Sequence, residues 1–84
     1  MKHATPATLA QIEGLLKKIR TRTVLKEKSP GVFYLRGEAF LHFHDDPAGI
    51  FADVRLDGID FTRLRATSAA EQKGLLAVID RALA

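Results

Sequence analysis

Residues 38–56 read EAFLHFHDDPAGIFADVRL, and the alternation in this stretch decides the fold. Two runs rich in β-formers flank Asp45-Asp46-Pro47-Ala48-Gly49, where Asp precedes Pro and Gly closes the turn. The pattern predicts an antiparallel hairpin with strands over 38–44 and 50–56. Two registers compete. With Asp45 opposite Ile50, Ala39, Leu41 and Phe43 share a face with Ala52, Val54 and Leu56, while His42 stands across from Asp53. With a type I turn and a bulge at Gly49, Asp46 lies opposite Ile50, and Phe40, His42 and His44 join the face of Ala52 and Val54. Segregation of apolar from polar side chains favours the first register.

Working outward, Val32–Leu35 reads as a preceding strand. Arg36-Gly37 connects it tightly to the hairpin, because glycine supplies the positive φ of a two-residue turn. Ser29-Pro30-Gly31 is a turn. Upstream, Thr5-Pro6 reads as an N-cap followed by proline at the first helical position. Leu9, Ile12, Leu16 and Ile19 then recur at helical spacing, which predicts a helix over 6–21, weakened by Gly14. Downstream, Asp57-Gly58 stops the third strand, and 60–66 offers a fourth, edge strand on Phe61 and Leu64. Ser68-Ala69-Ala70-Glu71 is a capping box ahead of Leu75, Leu76, Ile79 and Leu83, so a helix is expected over 69–83. The order α-β-β-β-(β)-α describes an α+β fold: a small antiparallel meander packed against N- and C-terminal helices, in one domain over 1–84.

The 84 residues include no cysteine, which excludes disulfides, thiolate metal sites and cysteine nucleophiles. No apolar stretch approaches a bilayer span, and Met1–Pro6 lacks the apolar segment of a secretory signal, so a cytoplasmic location is expected. The net charge of +3 is unevenly distributed. Residues 1–36 carry eight basic side chains against Glu13 and Glu27, and residues 37–84 carry five against eight acidic ones. The excess sits in Lys17, Lys18, Arg20, Arg22, Lys26 and Lys28, which reads first as a solvated helix end suited to the helix dipole. The same cluster is the candidate surface for nucleic acid or an acidic partner.

His42-Phe43-His44 is the most distinctive chemical feature. Histidines at i and i+2 of a strand point to one face, and Asp53 joins them in the favoured register. Two imidazoles and a carboxylate suit zinc or non-haem iron by ligand type; the plainer reading is a hydrogen-bonded structural pair. His3 reads as part of a loose terminus. Ser29 sits in a turn and Ser68 caps a helix, so neither reads as an activated nucleophile. In the favoured register Phe33, Leu35, Phe40 and Phe51 lie on the sheet face away from the helices, and an exposed apolar face of that kind suggests a homodimer interface.

The stretch Gly31-Val32-Phe33-Tyr34, continuing through Gly37–Gly49 and Phe51-Ala52-Asp53-Val54, resembles a family of short uncharacterised bacterial proteins. The Val-Phe strand, glycine turn and Phe-rich second strand are also similar to YjbR-type proteins. Neither resemblance implies an activity or assigns a site residue. The expected role is a non-catalytic binding or interaction module of a bacterial cell, homodimeric through its sheet face and using no cofactor. The competing classes are a nucleic-acid-binding domain using the basic 17–28 segment, and a metal-binding protein using His42, His44 and Asp53.

Overall fold

The computed structural model describes residues 2–84. Its elements are β1 (Lys2–His3), α1 (Pro6–Gln11), α2 (Glu13–Arg20), β2 (Leu25–Ser29), β3 (Val32–Leu35), β4 (Glu38–Asp46), β5 (Gly49–Val54), β6 (Thr62–Arg65) and α3 (Ala69–Leu83). The expected order of helix, meander and helix holds. Three details differ from the sequence reading: a break in the first helix and two strands, β1 and β2, that it does not contain. The first helix is broken at Ile12, whose amide reaches back to the Leu9 carbonyl at 3.1 Å in a tight turn. Leu25–Ser29 forms a strand although it is largely charged, and the fourth strand over 60–66 is present as β6.

The sheet runs β2-β3-β4-β5-β6, every pair antiparallel. β3 accompanies β4 only as far as Leu41 and then diverges. Beyond that point β1 takes the vacated flank, with His3 opposite His44 and Lys2 opposite Asp45. Between β4 and β5 the favoured register is the one observed: Asp45 faces Ile50 and His42 faces Asp53.

Directly opposed residues of an antiparallel pair share a face. One face therefore gathers Phe33, Leu41, Phe43, Ile50, Ala52 and Val54, all buried, and both helical segments pack on it through Ile12, Leu15, Leu16, Ile19, Leu75 and Ile79. Arg22 ties the end of α2 to α3 by a two-pronged ion pair with Asp80, both contacts at 2.8 Å. Asp45 also lies on this face, where its carboxylate accepts from the buried Thr8 hydroxyl at 3.1 Å. Thr5 caps α1 as its sequence implied, accepting from the Thr8 amide at 3.2 Å.

The apolar residues expected on the other face are mostly in the core. The β3–β4 ladder shifts between Phe33 and Tyr34, pairing Phe33 with Leu41 and Tyr34 with Ala39, so Phe40 has no partner of its own. A bulge of this kind breaks the strict alternation of faces. Phe40 and Leu41 are both buried against the helices, at 2% and 1% exposure. Phe33 is buried with them and Leu35 packs against the same core. Of the four, Phe51 alone stays on the opposite face, beside His44 and Arg65 in the ladders, with the Arg65 guanidinium 5.2 Å above its ring. That face is polar, so the argument for an apolar dimer surface fails there. Among the described residues, no helix is long and apolar enough to cross a membrane.

Candidate metal centre

The polar face is built by neighbouring strands. β4 contributes His42 and His44, β5 contributes Asp53, and β6 brings Arg63 directly opposite Asp53. One donor atom from each of His42, His44 and Asp53 lies within 4.8 Å of the other two. His44 Nε2 is 2.9 Å and His42 Nε2 3.9 Å from the same carboxylate oxygen, Asp53 Oδ2. For metal–ligand bonds of 2.0–2.2 Å, tetrahedral neighbours sit roughly 3.3–3.5 Å apart. The observed separations bracket that value.

The surroundings are unusual for imidazoles. His42 Nδ1, His44 Nδ1 and His44 Nε2 are buried and have no hydrogen-bond partner. The 2.9 Å contact of His44 Nε2 with Asp53 is thus close in distance but not aligned as an N–H···O bond. The ring of Phe61 stacks on that of His42, with centroids 4.9 Å apart and planes at 19°. Burial in the first place, and the neighbouring His44 in the second, hold the His42 pKa below the ordinary imidazole value. Both effects favour the neutral ring, the form in which an imidazole ligates.

Arg63 grips Asp53 with both prongs: Nε donates to Oδ1 and Nη2 to Oδ2, each at 2.8 Å. These hydrogen bonds are the main reason the Asp53 pKa lies below its usual range, against the opposing effect of burial. A carboxylate oxygen has two lone pairs, so Oδ2 can accept from Arg63 and still face the two histidines. An outer partner that orients a ligating group in this way is a regular feature of metal centres.

The sequence reading missed three of the surrounding groups. Arg63 alternates with Thr62 and Leu64 in β6, and only the pairing of β6 with β5 places it beside Asp53. From the sequence Phe61 reads only as apolar support for an edge strand. His3 reads as part of a loose terminus, yet its ring stacks on His44 at 5.0 Å between centroids and lies 6.2 Å from His42. A two-residue strand has no periodicity from which to find it.

The structure divides the basic candidates. Lys17, Lys18 and Arg20 lie on α2, Arg22 lies beyond its end, and Lys26 and Lys28 lie on β2. Arg20 is engaged by Glu13 at 2.7 Å and Glu27 at 2.6 Å, and Arg22 by Asp80. Lys28 sits 4.6 Å above the Tyr34 ring. Ser68 is committed to capping α3, accepting from the Glu71 amide at 3.1 Å.

A scan of protein-family models, a search of curated proteins and a search of solved structures find no match to this chain. The site is accordingly read from its own geometry.

Proposed function

We propose that this chain is a non-catalytic binding module whose ligand is a divalent first-row transition-metal ion, held by His42, His44 and Asp53. The observation that supports this reading is the buried, unpartnered Nε2 of His44 lying 2.9 Å from Asp53 Oδ2, with His42 Nε2 3.9 Å from the same oxygen. Buried polar atoms are nearly always satisfied, and an orphan in a native fold calls for an explanation such as an ion. A merely structural histidine pair would spend the His44 nitrogen on a hydrogen bond. Two imidazoles and a carboxylate match the ligand preferences of zinc and its neighbours.

Binding fits better than catalysis. A catalytic metal needs an open coordination position for water or substrate. Here Phe61 covers His42, the His3 ring lies against His44, and His44 Nε2 is out of solvent reach. Such an enclosure suits a small ion and excludes a bulky substrate.

The test is a zinc titration of the untagged protein followed by amide shifts. The expected result is saturation at one ion per chain, with shifts centred on His42, His44, Asp53 and Arg63 and reversed by chelator. A response absent from those residues, or one that survives His42→Ala combined with His44→Ala, would overturn the reading.

A further inference from the structure

We infer that His3 is a further ligand of the same ion, so that the metal staples β1 to the sheet. This rests on the metal-binding reading above and adds to it a ligand from a distant segment. The placement of β1 is the first observation. β3 pairs with Glu38, Ala39 and Leu41 of β4 and then leaves, and β1 occupies the flank beside His44 and Asp45. His3 is the residue directly opposite His44, so its side chain shares the face of the candidate centre. Its ring lies 5.0 Å from that of His44 and 6.2 Å from that of His42.

The second observation is how little else holds β1. The strand is two residues long, and both residues are exposed. Besides its ladder with β4, the segment is tied down by the Ala4 amide, which donates to the Phe43 carbonyl at 3.1 Å, and by the small Ala4 side chain against the core. So short a strand contributes little docking energy of its own. Its one imidazole nevertheless stands beside the site, outside the 4.8 Å cluster of donors, and its exposure gives room for the rotamer change that ligation requires. With His3 the donors become three imidazoles and one carboxylate, four in all, the number that a closed tetrahedral site takes.

Coordination by His3 requires the docked arrangement of β1, so binding and docking are linked. A ligand that prefers one of two states shifts the population toward it by its differential affinity. The coupling is reciprocal. The factor by which loss of His3 weakens the ion therefore sets the largest factor by which the ion can protect the docked strand.

The experiment compares the untagged wild type with His3→Ala, measuring zinc affinity by calorimetry and hydrogen exchange of the Ala4 amide with and without zinc. Because His3 is exposed, its truncation leaves the core intact. Both proteins are expected to bind one ion per chain. The variant should bind at least about tenfold more weakly, a loss of about 1.4 kcal/mol. Zinc should slow Ala4 exchange in the wild type, by no more than the factor lost in affinity, and should have no such effect in the variant. Equal affinity in the two proteins with unchanged Ala4 exchange would remove His3 from the ligand set and leave the His42, His44 and Asp53 centre standing. Absence of zinc binding to either protein would overturn both proposals. Binding that depends on His3 but survives His42→Ala with His44→Ala would mark a separate surface site and overturn the staple.

Discussion

His44 Nε2 approaches Asp53 Oδ2 to 2.9 Å, although the residue directly across the ladder from Asp53 is His42, whose Nε2 stands 3.9 Å from the same oxygen. The nearer contact is the diagonal one. Diagonal neighbours on a sheet face lie within reach of long and aromatic side chains, and the twist of the strands decides which diagonal closes. His42 is meanwhile pinned by its stack on Phe61.

The two histidines should therefore contribute unequally. His44→Ala is expected to weaken zinc more than His42→Ala, each by more than about tenfold, since loss of outer-shell partners alone costs about 10–100-fold. Calorimetric titration of the two single variants checks the order. The reverse order would mean that the ladder partner, rather than the diagonal neighbour, is the principal imidazole.

Phe40 separates the bulged arrangement from strict alternation. At 2% exposure within the helix-facing core, its replacement by alanine is expected to cost about 3–5 kcal/mol. A residue on the polar face would lose far less. Urea unfolding of Phe40→Ala measures the difference, and a loss below about 1 kcal/mol would return Phe40 to the other face.

The β3–β4 turn carries a correctable cost. Arg36 has φ of 51° and Gly37 of 84°, so both central residues are left-handed. Turns of this kind favour Asn-Gly, and a side-chain-bearing residue there costs roughly 1–2 kcal/mol, least for asparagine. Arg36→Asn should raise stability by about 0.5–1 kcal/mol, read as an increased urea midpoint with an unchanged slope.

Glu27 gives a pH dependence with a defined sign. Its carboxylate accepts from Arg20 at 2.6 and 3.1 Å and from the Gly31 amide at 2.9 Å. The Arg20 hydrogen bonds, partly offset by burial, lower its pKa from the ordinary 4.5. A carboxylate with a lowered folded-state pKa stabilises fully above its unfolded value, and the contribution disappears as pH falls through the folded value. Arg20 is more than a third exposed, so solvent screens the pair and the contribution is about 1 kcal/mol. Glu27→Gln should cost that much at neutral pH and flatten the acid limb of the stability profile. An unchanged acid limb would show that other carboxylates govern it.

Much of this architecture is legible in the residues themselves. Thr5-Pro6 and the Ser68–Glu71 box start their helices where their side-chain chemistry requires, and Ala69–Leu83 ends where expected. The register of β4 against β5 follows from apolar segregation. What escaped depends on contacts that no local pattern carries. Lys26, Glu27 and Lys28 have weak strand preference, and they become β2 because β3 offers a partner. Phe33 and Phe40 look like opposite-face residues until one extra residue enters the ladder. For the candidate centre, the histidine pair and Asp53 are readable from i, i+2 spacing plus register. Arg63 and His3 depend on strands whose pairing the sequence does not announce.

The outer strands of the sheet have a consequence for the molecule's behaviour in company. A strand without a neighbour on one side offers its unpaired amides and carbonyls as a template for other chains, and lysines and other charges are the common safeguard. β2 carries Lys26, Glu27 and Lys28, and β6 carries Arg63 and Arg65. An incoming strand would have to bring its backbone past these hydrated groups. The arginine that grips Asp53 thus also helps guard the border of the sheet, and removing its charge would take away one of these edge charges as well as loosening the carboxylate it orients.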